Sequence, residues 1–358
     1  MLPSREYKCK PDFDECIARI YAWYKQEIID RPPVRFHHHN MEYEKHRISR
    51  GFWKTAEERW LDVDFQVKMF VDSLQGVSFL GETFPVFWPN LSALAYNLFL
   101  GQKPVFDDVT AWTHPIVDDL ACLPELRVKK ENRYFKAVDA MTGRALEEAE
   151  GHFLVGYTDM YAGIDCTAAL RGTEAMSLDM LENPDGLKRL INMVFAEYPE
   201  IYNRYDARLK SHNQLSVTWM NLPSFETFNV LACDFSVNIS PDHFNEFCLP
   251  VIQREAECFV HNVFHLDGKG VAKNIDSILD LPNLVGIQWV QGYGKDQPIL
   301  QWVPLIIKIQ NAGKSVIVDL LPEELDDFIK QLDPTGIMLW INADPASQDD
   351  ILKRVKRW

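Results

Sequence analysis

Residues 263–268, VFHLDG, form a short apolar run that ends in polar side chains and a glycine. Seven further apolar runs share its length and its flanking turn residues, at 34–36, 77–80, 153–157, 216–220, 285–290, 315–320 and 337–341. All eight are almost continuously apolar, which is typical of parallel strands that are buried on both faces. Eight such strands separated by helices predict an α/β chain folded as a closed TIM (β/α)8 barrel.

Helical periodicity occupies the spaces between these runs. Apolar residues recur on one helical face across residues 17–28, which predicts an N-terminal helical extension before the first strand. A capping-box pattern at residues 55–58 predicts a second helix start. The pairs Asn183-Pro184 and Ser240-Pro241 predict two more, because proline suits the first helical turn.

Residues 84–123 interrupt this alternation, since the segment is rich in aromatic residues and too long for a simple connection. We interpret it as an aromatic-rich excursion over the barrel mouth, where it covers a pocket for a flat or apolar substrate. No linker or repeat divides the chain, so residues 1–358 are interpreted as a single domain.

Composition narrows the range of partners. The formal net charge of -15 disfavours nucleic acid and anionic membranes as main partners, because both would be repelled. The first residues lack the apolar core of a secretion signal, and no apolar run is long enough to span a membrane. The seven cysteines are scattered and form no C-x-x-C pair, which indicates reduced thiols and a cytoplasmic protein.

The active site of a TIM barrel lies at the C-terminal ends of its strands, so polar residues that end the apolar runs are the candidates. The candidate catalytic residues are His265, Asp267, Asp159 and Glu82. The candidate substrate-binding residues are Trp88, Trp219, Gln288, Trp289, Asp234 and Asn342.

His265 and Asp267 are the leading pair, because residues two apart on a strand point to the same side. A histidine and a carboxylate together can transfer a proton or bind zinc or another divalent metal. The alternative is a structural hydrogen bond that caps the next helix. A second candidate metal pair is His37 and His39, for which the alternative is one buried histidine beside exposed ones.

Several segments taken together carry a family resemblance. They are VGYTD at 155–159, GID at 163–165, CDFS at 233–236, FHLDG at 264–268 and IQWV at 287–290. As a set they resemble the uroporphyrinogen decarboxylase superfamily, in a decarboxylase-like branch related to corrinoid-dependent methyltransferases. The resemblance extends from about residue 77 to the C-terminus. It implies a TIM barrel and one of two chemistries, decarboxylation or methyl transfer.

The chain departs from both groups of relatives. The decarboxylases carry an R-Q-A-G-R segment that holds substrate carboxylates, whereas residues 31–40 read RPPVRFHHHN. The zinc-dependent methyltransferases carry a strand-end H-x-C and a second cysteine near the C-terminus. Here residues 265–267 read HLD and residues 342–344 read NAD, so both thiolates are missing.

The resemblance therefore implies a methyltransferase component that moves a methyl group from a small substrate to a corrinoid carried by a partner protein. The substrate would be a methoxylated compound or a methylated amine, and a homodimer is one expectation for the assembly. One alternative is a decarboxylase or other lyase acting on a smaller carboxylic acid, oriented by Arg35 or Arg171. Another alternative is a non-catalytic binding barrel.

Overall fold

The computed structural model describes residues 2–37, 52–93 and 95–358, and in these ranges helices alternate with short strands. The strands are β1 Val34–Phe36, β2 Val86–Phe87, β3 Pro104–Phe106, β4 Ala111–Thr113, β5 Leu154–Val155, β6 Phe228–Ala232, β7 His261–Asp267, β8 Leu284–Val290, β9 Ser315–Leu320 and β10 Ile337–Ile341. The helices of the first half are α1 Phe13–Tyr24, α2 Ala56–Trp60, α3 Val63–Ser73, α4 Ala95–Phe99, α5 Arg133–Ala149, α6 Ile164–Arg171, α7 Thr173–Glu182 and α8 Pro184–Phe195. Those of the second half are α9 Tyr198–Ser211, α10 Pro241–His243, α11 Leu249–Glu257, α12 Gly268–Ala272, α13 Ile275–Leu279, α14 Val303–Asn311, α15 Leu325–Ile329 and α16 Pro345–Val355.

Six strands form one parallel sheet, in the order β1-β10-β9-β8-β7-β6. The near-continuous apolar runs explain this arrangement, because helices cover a parallel sheet and bury both of its faces. In β10, for example, all five residues are buried. The predicted mixed α/β class and the parallel strand pairing are confirmed for this sheet.

A second parallel sheet pairs β2 with β5, with Val86 opposite Leu154 and Phe87 opposite Val155. The predicted strand at 77–80 is wrong, and the strand that pairs with β5 lies several residues later. Residues after 80 run along β1 instead, where the backbone N–H of Glu82 donates to the carbonyl of Val34 at 2.7 Å.

The predicted strand at 216–220 is also wrong. Only Ser216 forms a bridge, antiparallel to Ser224, and the positive φ of Asn221 lies between them. The strand that joins the large sheet is β6, which the sequence analysis missed. Residues 216–220 nevertheless contact the chain just after β5, because the N–H of Tyr157 donates to the carbonyl of Val217 at 2.9 Å.

The two faces of the large sheet contribute to different clusters of buried side chains. Leu266, Trp289 and Val318 belong to a cluster shared with the helices, which we call the outer cluster. Side chains of the other face form the inner cluster with both strands of the small sheet and with α1. Its members include Val230, Val263, Ile317, Met338, Trp340, Val86, Leu154, Trp23 and Tyr24. Helix α1 is therefore the predicted N-terminal extension, and it packs on the inner face.

Local signals place the helix starts as predicted. The side chain of Thr55 accepts from the N–H of Glu58 at the start of α2. Asn183 does the same for Gly186 in α8, and Ser240 caps α10. These caps satisfy N–H groups that have no partner inside the helix.

The aromatic segment 84–123 contains β2, α4 and the β3–β4 hairpin, so it is partly sheet and partly excursion. The hairpin packs on α2, with the rings of Phe106 and Trp60 5.3 Å apart. Trp88, directly after β2, lines a cavity of about 440 Å³. Across the described ranges, every helix is too short or too polar to cross a membrane. The seven cysteines are free.

Candidate functional site

The C-terminal half of β7 presents polar side chains to the inner face of the large sheet. Val263 belongs to the inner cluster, and alternation along a strand puts His265 and Asp267 on the same side. In the neighbouring strand, Gln288 lies opposite His265. The sequence prediction that His265 and Asp267 share a face therefore agrees with the strand geometry.

Asp234 joins this pair from the turn that follows β6. One ligand atom each from Asp234, His265 and Asp267 lies within 4.8 Å of the others. The chain can leave β7 sharply because Gly268 has a φ of +75°, which a glycine adopts without strain. One imidazole nitrogen and two carboxylate oxygens form a ligand set suited to a divalent cation such as Zn, Mn or Fe.

Gln288 orients the imidazole of His265. Nδ1–H of His265 donates to Oε1 of Gln288 at 2.7 Å, and Gln288 is buried. This hydrogen bond fixes the tautomer and leaves the lone pair of Nε2 available as a base or a metal ligand. The ring of Trp219 meets the His265 ring edge-on at 5.4 Å, which holds its plane.

Asp165 anchors the turn that carries Asp234. Its two carboxylate oxygens accept from the backbone N–H groups of Asp234, at 3.0 Å, and Phe235, at 2.8 Å. Burial raises the pKa of Asp165 to about 6, with a further rise from the charge of Asp234 and a smaller opposing effect of the two hydrogen bonds. Asp165 therefore fixes the position of one member of the cluster.

The cluster is short of positive charge. Burial raises the pKa of Asp234; His265 opposes the rise, and the negative charge of Asp267 adds to it. Two carboxylates that face each other with one histidine favour either a shared proton or a bound cation. Asp234 and Asp267 are both exposed, and the side chain of Asp267 makes no cap hydrogen bond at the start of α12, so both carboxylates are open to a cation.

Asp159 and Tyr161 form the acidic side of the site. Burial raises the pKa of Asp159 well above its usual value, which favours the protonated form of its carboxyl group. Burial also raises the pKa of Tyr161, and the nearby charges of Asp159 and Asp234 raise it further. Tyr161 is hydrogen-bonded to Trp219 and lies close enough to both acids for their charges to act on it, so a phenol stands near the cluster.

A further buried carboxyl group, Glu255 on α11, lies behind Asp165. Its Oε1 accepts from Nδ2 of Asn229 at 3.0 Å, and a Cβ at Gly163 would be 3.4 Å from its Oε2. Burial raises the pKa of Glu255 to about 7, and the hydrogen bonds to Asn229 and Tyr198 lower it. Buried carboxyl groups are therefore found both at the strand ends and in the helix layer next to them.

Glu82 does not reach this cluster. Its Oε2 accepts from Arg31 at 2.8 Å and from the N–H of Val34 at 2.6 Å, and its Oε1 from Arg31 at 3.0 Å and Arg19 at 3.2 Å. The side chain is fully buried. Both oxygens are committed to a network that ties α1 to the start of β1, so the structure gives Glu82 a structural role and not the predicted catalytic one.

Three other predicted residues lie away from the cluster. Trp289 is completely buried in the outer cluster, with its ring 4.8 Å from that of Trp302, so it cannot contact a substrate on the inner face. Asn342 is exposed after β10. His37 lies 3.5 Å from Asp319, and its proposed partner His39 falls outside the described residues.

Tyr161, Asp165 and Glu255 are the residues that our candidate list lacked. Tyr161 lies between Asp159 and Asp165 in the sequence, and this group of polar residues after β5 was a usable signal for Tyr161 and Asp165. Glu255 has no such signal, because α11 looks like an ordinary amphipathic helix from sequence.

No family model matches the chain, and no curated protein matches its sequence. Among solved structures, a methyltransferase from Methanosarcina mazei matches with a TM-score of 0.61 and 14% sequence identity. The match covers 98% of this chain and 99% of that one. In fold, and over nearly its whole length, this chain is therefore similar to that methyltransferase.

Proposed function

We propose that this chain is an enzyme that transfers a methyl group from a small methylated compound to a corrinoid carried by a partner protein. The observation that carries the proposal is the Asp234–His265–Asp267 cluster, which lies at the strand ends of a fold shared with a methyltransferase. The superfamily resemblance of the strand-end sequences adds to it. Fold similarity alone would not do so, because one fold serves many reactions.

The barrel itself is part of this proposal. The six-stranded and two-stranded parallel sheets together supply the eight strands that a (β/α)8 barrel needs. Two hydrogen bonds extend from the sheets toward each other: the N–H of Glu82, which precedes β2, donates to the carbonyl of Val34 in β1, and the N–H of Tyr157, which follows β5, donates to the carbonyl of Val217. The inner cluster joins side chains from both sheets, as the interior of one barrel would.

Asp234, His265 and Asp267 would hold a divalent metal ion, and their donor atoms fit such an ion without a thiolate. A metal ion held there would supply Lewis-acid chemistry toward the methylated oxygen or nitrogen of the substrate. Gln288 and Asp165 act on the site as positioning residues, because each fixes one member of the cluster through a hydrogen bond.

The carboxyl group of Asp159, whose pKa burial raises well above its usual value, and the phenol of Tyr161 supply the proton chemistry. When the methyl group leaves, the heteroatom keeps the bonding electron pair and must be neutralised. A carboxyl group that holds its proton more tightly than usual is suited to this task. We therefore assign Asp159 as the general acid, with Tyr161 close to both Asp159 and Asp234.

The test is a methyl-transfer assay with a reduced corrinoid protein and a panel of O-methyl and N-methyl donors. Formation of methylated corrinoid is followed by absorbance, with carbon dioxide release measured from the same mixtures. We expect methylation with at least one donor, and a loss of at least about 100-fold in His265→Ala and Asp159→Asn at an unchanged melting temperature. Carbon dioxide release without methylation would contradict the proposal.

A further inference from the structure

Within the described part of the chain, Arg35 on the inner face is hydrogen-bonded to no carboxylate, although the charge of Asp319 acts on its guanidinium. Its Nη1 donates to the carbonyl of Met220 at 3.0 Å, and its guanidinium carbon lies 4.2 Å above the ring centre of Trp340. Among the described residues, Nε of Arg35 has no hydrogen-bond acceptor. Cation–π contact compensates only part of the cost of removing a guanidinium from water.

The cavity of about 440 Å³ is where this charge is accessible. Arg35 and Asn221 line it together with Trp88, whose Nε1 is another buried donor without an acceptor in the described part of the chain. Much of the remaining lining is apolar: Trp60, Phe70, Leu74, Phe79, Phe84, Val86, Phe87 and Met141. The carboxylate among the lining residues, Asp108, lies 3.7 Å from Arg59. The cavity thus combines an apolar wall with unmatched donors.

Strand register relates this cavity to the Asp234–His265–Asp267 cluster. Trp340 pairs with both Arg35 and Asp319, which puts these three residues at one level of the sheet. Asp267 pairs with Val290 of β8. Val290 directly follows Trp289, which forms the last pair between β8 and β9, with Val318. Arg35 and Asp267 therefore stand near the same level and on the same face, four strands apart in the order of the sheet. That separation is about 19 Å along the sheet at about 4.8 Å a strand, and less across a curved one.

We propose that Arg35 and Trp88 form a subsite for the carboxylate of a small, flat acid whose apolar body occupies this cavity. The binding itself follows from the cavity; that the far end of the acid carries the methylated atom rests on the proposed function. A planar guanidinium matches a carboxylate in charge and in geometry. A carboxylate here would give Nε of Arg35 its missing acceptor.

The charge of the subsite and the apolar wall of the cavity narrow the chemical class of the ligand further. Phosphate groups carry more charge and usually meet several cations, whereas Arg59 is already engaged by Asp108 through its carbonyl at 2.7 Å. A small acid without an apolar part would leave the aromatic wall of the cavity in contact with water. A single carboxylate on an aromatic ring satisfies both features of the cavity.

Calorimetric titration of the full chain with benzoate, benzamide and acetate tests the subsite. Benzamide keeps the shape of benzoate without its charge, and acetate keeps the charge without the ring. We expect benzoate to bind at least about tenfold more tightly than either, because a charge-assisted hydrogen bond has no substitute there. We expect Arg35→Gln to lose this preference and Arg35→Lys to keep part of it.

The exposed Arg127 provides the matched control, since Arg127→Gln removes a cation that is not among the described residues lining the cavity. Wild-type protein that binds benzamide as tightly as benzoate, or that binds no benzoate, would overturn the subsite even if Arg35→Gln fails to fold. So would an Arg35→Gln variant that folds and binds benzoate normally. These titrations need no corrinoid or metal, so their failure is separate from a failure of the methyl-transfer assay.

Discussion

Nδ1 of His265 and Oε1 of Gln288 lie 2.7 Å apart, on neighbouring strands at the same level. This bond sets which ring nitrogen of His265 is free to act. We expect Gln288→Leu to weaken divalent-metal binding by about 10- to 100-fold, because the ring loses the acceptor that holds it. Gln288→Glu keeps an acceptor and should retain most of the affinity. Metal titration followed by thermal shift measures both, and equal affinity in Gln288→Leu and wild type would refute the assignment.

Repulsion between Asp234 and Asp267 predicts that replacing one of them affects the melting temperature differently with and without a cation. Asp267→Asn removes one of two facing carboxylates, so the metal-free protein should melt no lower than wild type in excess chelator. With added divalent metal, wild type should gain stability and the variant should gain little. A variant that melts well below wild type in chelator would instead indicate a structural role for Asp267.

Glu255 predicts a specific pH dependence of stability. Its pKa is raised to about 7 in the folded protein, so the folded state binds the proton more tightly than the unfolded state. Ionisation therefore costs stability as the pH rises from about 4.5 to about 7. The difference in melting temperature between Glu255→Gln and wild type should be small at pH 4.5 and should move in favour of the variant by pH 8.

Glu257, two residues along α11 and exposed, is the control for this measurement. Its replacement by glutamine should give a difference from wild type that changes little over the same pH range. A flat profile for Glu255→Gln as well would mean that Glu255 is ionised in the fold without cost.

Glu82 tests the separation of structural from functional acids. Glu82→Gln leaves Arg31 buried without its charged partner, so we expect a loss of about 3–5 kcal/mol in the free energy of unfolding. Asp326→Asn removes an exposed partner of Arg354 and should cost less than about 1 kcal/mol. Denaturant unfolding measures both. Full stability of Glu82→Gln, with methyl transfer lost, would return Glu82 to the catalytic set.

Sequence pattern predicted those parts of the fold that depend on local chemistry. The long strands β7 to β10 were predicted because their apolar runs are bounded by turn residues. The same rule failed at 77–80 and 216–220, where equally apolar residues pack without joining a parallel ladder. Whether an apolar run pairs is decided by distant partners, such as β5 for β2, and not by the run itself.

The residues of the candidate site were likewise predicted where local pattern decides their position, and missed where distant contacts decide it. Alternation along one strand predicted that His265 and Asp267 share a face. The contribution of Asp234 depends on the turn after β6, a strand that the sequence analysis missed, although the residue itself was a candidate. Trp289 was misjudged because it is adjacent in sequence to Gln288, yet adjacent residues of a strand face opposite sides.

If Asp234, His265 and Asp267 act as one cation site, the purified chain binds a divalent metal with a fixed stoichiometry, and its metal content measures this. Elemental analysis after loading with divalent metals and dialysis should find about one ion per chain in wild type. The same treatment of His265→Ala and Asp267→Asn should leave little metal, while in excess chelator both variants should melt no lower than wild type. Metal-free wild type, or variants that retain as much metal as wild type, would rule out a cation site made of these three residues.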